Sequence, residues 1–115
     1  MITIQRLYNG EMGGYGILVD RLWPRGISKE RLSADIWMKE VAPSTELRKW
    51  FSHEPEKWEE FKTRYLMELK MPEVKQKLND IKSLEREKGT VVLLYGAKDG
   101  EHNQAAVLKE VLDSM

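Results

Sequence analysis

Apolar and polar positions alternate from the first residues. Ile2 and Ile4 are separated by Thr3, with Gln5 and then Leu7 beyond. A period of two predicts a short strand. The next eight residues, NGEMGGYG, hold four glycines and read as a turn or loop. Asn9-Gly10 is also the dipeptide that closes tight hairpins, so a hairpin is one reading. YGILVDRL then loses the alternation, and its run of apolar residues predicts a strand covered on both faces. After the break WPRGISKERLS, the stretch ADIWMKEVAPS alternates again and predicts a third strand.

The period changes from two to 3.6 after Pro43. Ser44 can cap a helix, Glu46 sits where the helix dipole favours an acid, and Leu47, Trp50 and Phe51 point inward. Pro55 suits the first position of a second helix, whose stripe is Trp58, Phe61, Tyr65, Leu66 and Leu69. Pro72 opens a third, with Val74, Leu78, Ile81 and Leu84 on one face and Gly89 placed to end it. TVVLLYGAKDG is the plainest buried strand in the chain. Asn103 can cap a last helix carrying Ala106, Val107, Leu108, Val111 and Leu112. This order predicts an α/β fold: one small domain over residues 1–115, a mainly parallel sheet of about four strands, and helices on both faces.

Composition narrows the chemistry. With 115 residues, 41% apolar and 33% charged, the chain suits one globular domain. Lys plus Arg and Asp plus Glu both number 19, so bulk charge gives no reason to coat nucleic acid. The absence of cysteine excludes disulfides, thiol nucleophiles and thiolate metal sites. Two histidines about fifty residues apart make no metal motif, and no metal is expected. No redox cofactor signature appears, and the cofactor is left open. MITIQRLYNG does not read as a signal peptide, and no apolar run has the length of a membrane span. A cytoplasmic protein without a membrane partner is expected.

In open parallel sheets ligands sit beyond the carboxyl ends of the strands. The predicted strands end in Asp20, Arg21, Trp23 and Arg25, in Lys39, Glu40, Pro43 and Ser44 with Arg48 a turn later, and in Tyr95, Lys98, Asp99, His102 and Asn103. Arginine's planar fork fits carboxylate or phosphate, and tryptophan offers a stacking face. Arg21, Trp23, Arg25, Ser44, Arg48 and Asn103 are therefore candidates for binding an anionic small molecule such as a nucleotide or sugar phosphate. Asp99 and His102 are candidates for proton transfer, with Lys98 and Tyr95 stabilising charge, so an enzyme or enzyme-like domain acting on that molecule is the leading expectation. Each has a plainer reading. Arg21 and Arg25 can pair with Asp20, Glu30 or Asp35, Trp23 can be core, and Ser44 can be only a cap. NGEMGGYG lacks the Gly-Lys-Ser/Thr ending of a phosphate loop. The stripe Trp58, Phe61 and Tyr65 is core or a homodimer face. Arg21, Arg25, Lys29 and Arg31 form a basic segment, so a nucleic-acid-binding module is the alternative function. An interaction protein with a purely structural turn is the third.

Taken together, DRLWPRG, D-x-W-x-K-E-x-A-P-S-x-x-L-R-x-W-F-x-H, LLYGAKD and HNQAAVL resemble the YeaO-like family, domain of unknown function 488. The resemblance spans nearly the whole chain in four ordered blocks. Gly96 stands where that pattern implies alanine, a change expected to alter no chemistry. The resemblance implies a small cytoplasmic α/β protein of bacteria or archaea and assigns no reaction.

Overall fold

A computed structural model of the chain describes residues 1–7, 12–28, 31–32 and 34–115. Strands β1 (Ile2–Arg6), β2 (Tyr15–Leu18), β3 (Ile36–Trp37) and β4 (Val91–Tyr95) form one sheet in the order β1-β4-β2-β3. Every pairing is parallel. β4 is central: Ile2 lies beside Val91 on one side, and Tyr15 beside the same residue on the other. A strand with neighbours on both sides and cover on both faces has no polar face to present, which explains five consecutive buried residues. The hairpin reading fails, because β1 and β2 run in the same direction with β4 between them. Asn9 and Gly10 themselves lie outside the described residues.

The two faces of the sheet are covered differently. Ile17, Val19, Val91, Leu93 and Tyr95 pack with the buried residues of α1 (Thr45–Phe51), α2 (Trp58–Glu68), α3 (Pro72–Lys88) and α4 (Gln104–Asp113). Leu18, Val92 and Leu94 point the other way, against Leu32 and the half-buried Leu7, Met12, Trp23, Ile27 and Ala34. The four-stranded parallel sheet is thus as expected, but helices were expected on both faces. Among the described residues the second face is covered by loop, because the connections after β1 and β2 cross it.

The third strand is shorter than its alternation suggested. After Ile36–Trp37 the chain donates one more ladder bond, Met38 N–H to the Leu18 carbonyl at 2.9 Å, and tightens into a 3-10 turn over Lys39–Val41. Pro43 then precedes a helix whose cap is Ser44, with Oγ accepting from Leu47 N–H at 3.2 Å. Asn103 caps α4 by accepting from Ala106 N–H at 3.0 Å. Gly89 ends α3 with φ +87°, a conformation that other residues adopt at a cost. Pro55 opens a 3-10 turn, Pro55–Lys57, that leads into α2. Ser52 and His53, directly after α1, both have left-handed backbone, with φ 48° and 57°. Neither is glycine, so the pair carries strain on the order of 1–3 kcal/mol per residue. The aromatic stripe is core: Phe61 and Tyr65 are buried, and Phe51 stacks on Phe61 with ring centroids 4.4 Å apart.

Candidate functional site

Because the strands are parallel, the ends of β2 and β4 open on the same edge of the sheet, and a cavity of about 440 Å³ lies there. The segment after β2 supplies Asp20, Arg21, Leu22, Pro24 and Arg25 to its wall. α1 and the residue after its strained end supply Arg48, Phe51 and His53, and Phe61 of α2 joins Phe51 there. From the far side come Gly96 and Ala97 after β4, then His102, Asn103 and Gln104 at the start of α4. The wall is therefore part aromatic and part cationic, and Asp20 is the single acid among the described residues that form it.

Asp20 is held from two directions. Gly96 N–H donates to Oδ2 at 2.9 Å, and the Gln104 side-chain amide donates to Oδ1 at 2.5 Å. Burial pushes its carboxyl above the usual aspartate value, against the opposing pull of the Gly96 and Gln104 bonds and the His53 charge. A Cβ on residue 96 would lie 2.8 Å from Asp20 Oδ2. The glycine is thus a condition of the carboxylate's seat, where it was expected to be chemically silent.

Arg48 is the other unusual group. Its Nε is buried with no hydrogen-bond partner. Such a donor costs about 1–3 kcal/mol in a folded protein unless something pairs with it. His102 is oriented from behind, with Nδ1 2.9 Å from Asp99 Oδ2 and its ring edge-on to Trp58 at 5.2 Å. Its Nε2 makes no hydrogen bond among the described residues.

The remaining candidates divide clearly. Arg21 reaches neither Asp20 nor Asp35. Its Nε donates to the Pro43 carbonyl at 2.8 Å and a terminal nitrogen to the Ala42 carbonyl at 2.9 Å, so it fastens the end of β2 to the start of α1. Asp35 instead accepts from Gly16 N–H at 2.7 Å beside β3. Arg25 is exposed at the cavity's rim. Asn103 lines the cavity while spending its amide on the Ala106 N–H and the Asp99 carbonyl. Trp23 does not line it. Its indole N–H is bonded to the Ile27 carbonyl at 2.7 Å, and its ring packs edge-on against Trp37 over the second face of the sheet. Ser44 lies outside as well, bonded to Glu68 through both its hydroxyl and its backbone N–H.

Of the four residues expected to handle charge and protons, only His102 lines the cavity. Tyr95 is buried in the core beneath Gly100. Lys98 is exposed, with no partner among the described residues. Asp99 accepts from the N–H groups of Glu101 and His102, which hold its carboxyl down at about 2, and it meets the site only through His102. No serine, threonine, tyrosine or lysine belongs to the described wall.

All 115 residues match the family model described as the inactive DUF488-N3 subclade. The chain belongs to this family. It is 45% identical to the uncharacterized protein YeaO of Escherichia coli strain K12 over 117 positions, covering 99% of this chain and 98% of that one. Over 56 residues it is 54% identical to the uncharacterized proteins Mb3100c of Mycobacterium bovis and Rv3073c of Mycobacterium tuberculosis, about half of each chain. No solved structure matches. The YeaO-like DUF488 resemblance is therefore confirmed. Within this DUF488 chain, Asp20, His53 and Gln104 are the wall residues with polar side chains that were not among the expected site residues. His53 fell inside a recognised block, and Asp20 ends the first apolar run, but no local signal links Gln104 to Asp20.

No helix of the described residues is long and apolar enough to cross a membrane. Among the same residues no three His, Asp or Glu side chains gather as a metal site requires.

Proposed function

We propose that this DUF488 protein binds an anionic small molecule in the cavity beyond β2 and β4, without transforming it. The observation that carries the reading is the buried, unpartnered Nε of Arg48 in a wall that also holds Arg25, His53 and His102. A phosphate or carboxylate group is the natural acceptor for that donor. The N-terminal end of α4, where Asn103 and Gln104 join the wall, adds a favourable dipole. A wall with no hydroxyl or amine nucleophile among the described residues, and a family described as inactive, both favour binding over catalysis. The loss of Trp23's indole N–H and ring to internal contacts weakens the nucleic-acid alternative.

Arg48→Met tests this directly. Removing an unsatisfied buried donor should raise the stability of the free protein by about 1 kcal/mol. The same change should abolish stabilisation by phosphate compounds. A ligand at 100 times its Kd should stabilise the wild-type chain by about 2.7 kcal/mol. Thermal melts with inorganic phosphate, ribose 5-phosphate, AMP and a short oligonucleotide, at low and high salt, give the readout. If no anion raises the melting temperature, the reading is wrong. A steeply salt-dependent shift with the oligonucleotide alone would favour the nucleic-acid alternative.

A further inference from the structure

We propose that Asp20 makes this cavity selective, admitting an anion only when the same molecule also carries hydroxyl or amine donors that reach the Asp20 carboxylate. The inference rests on the anion reading and adds the ligand's second half. Asp20 shares a wall with Arg48 and His53, yet it has no ion-pair partner among the described residues. Both of its bonded donors, the Gly96 N–H and the Gln104 amide, are neutral, so neither forms an ion pair with it. A carboxylate has about four acceptor positions, and these bonds use two. The Gln104 amide spends its N–H groups on Asp20 and the Val19 carbonyl, which leaves its own oxygen as a second acceptor beside the first.

A bare anion entering beside Asp20 sets its own acceptor oxygens against those of Asp20 and Gln104, a repulsive contact. A molecule whose hydroxyls donate to Asp20 and Gln104 converts that repulsion into hydrogen bonds. The cavity's 440 Å³ leaves room for a carbon skeleton between the two ends, and Phe51 and Phe61 give that skeleton an apolar surface. The ligand class is therefore a phosphorylated or carboxylated polyol or sugar.

Asp20→Asn distinguishes this from a structural role, because its effects on two probes have opposite signs. The asparagine oxygen can still accept from Gly96, and its amide can donate to a rotated Gln104, so the fold is retained. Titration calorimetry with ribose 5-phosphate should show at least about a tenfold loss of affinity in the variant. Inorganic phosphate should bind the variant several-fold more tightly than it binds wild type. Gly96→Ala displaces the carboxyl group without removing it. It should weaken ribose 5-phosphate and leave inorganic phosphate within about twofold. If Asp20→Asn changes both probes in the same direction, or changes neither, Asp20 is not the selector and the anion reading survives alone. If neither probe binds the wild-type protein, the anion reading falls and this inference falls with it.

Discussion

Two polar clusters meet at the Arg21 guanidinium, and they differ in how their hydrogen bonds close. On one side is a hollow of about 150 Å³ lined by Ser44, Tyr65, Glu68 and Leu69, among others. There Ser44 gives its N–H and hydroxyl to Glu68, the Tyr65 hydroxyl gives to the Val41 carbonyl, and Arg21 gives to Ala42 and Pro43. On the other side is the larger cavity, where among the described residues the Arg48 Nε has no partner and Asp20 has no ion-pair partner. Closed networks stabilise a fold, whereas groups left open are costly unless a ligand completes them. Charged and polar residues at strand ends serve both purposes here, and only the state of their hydrogen bonds tells the purposes apart.

Arg21 is where the contrast breaks most sharply. Arg21→Ala strands two backbone carbonyls and should lower stability by about 3 kcal/mol. Arg25→Ala removes an exposed rim charge and should change stability by less than about 0.5 kcal/mol. Urea unfolding of the two single variants measures both. Equal effects would mean that Arg21 is not the fastener the geometry describes.

A smaller loss is expected from Tyr65→Phe, about 1–2 kcal/mol for an unsatisfied Val41 carbonyl. Its pH dependence is more telling. Burial, and then the Glu68 charge, push the Tyr65 hydroxyl well above its ordinary value. The folded chain therefore keeps a proton that the unfolded chain releases near pH 10. This stabilisation is complete below about pH 10 and is lost as pH rises through the folded value. Tyr65→Phe should flatten that alkaline decline, seen in urea melts at about pH 8 and about pH 11.

One change in this region should be a gain. Ser52→Gly relieves one of the two left-handed residues and should add about 1 kcal/mol. If His53 needs that strained turn to face Asp20, the same variant should bind ribose 5-phosphate more weakly while melting higher. A gain in stability with unchanged affinity would assign the strain to chain reversal alone.

Much of this architecture was legible from local signals. Ser44, Asn103 and Gly89 mark helix ends through their own side chains or their lack of one, and β4 announces itself by five apolar residues. That loop covers the second face among the described residues was not legible, because it depends on tertiary contacts such as those of Trp23 and Leu32. The site was half legible. The strand ends bring Arg21, Arg25, Arg48, His102 and Asn103 to the cavity wall, since a parallel sheet gathers such ends on one edge. Lys98 and Asp99, expected from the same loop, are exposed and lie outside the described wall. Arg21's role depends on the Ala42 and Pro43 carbonyls, and the Gln104–Asp20 bond joins residues 84 apart. No periodicity reports contacts of that kind.

The strand order has a consequence for how the molecule is assembled. β1 and β2 are both written early in the chain, yet neither pairs with the other, and each waits for β4 near residue 91. During synthesis the sheet has no centre until about four-fifths of the chain has emerged. Until then its first strands expose unpaired edges, the condition under which nascent chains associate wrongly. Closing the β1–β4 ladder, which pairs Ile2 with Val91, is also a late long-range step, which predicts slow folding for a protein of this size.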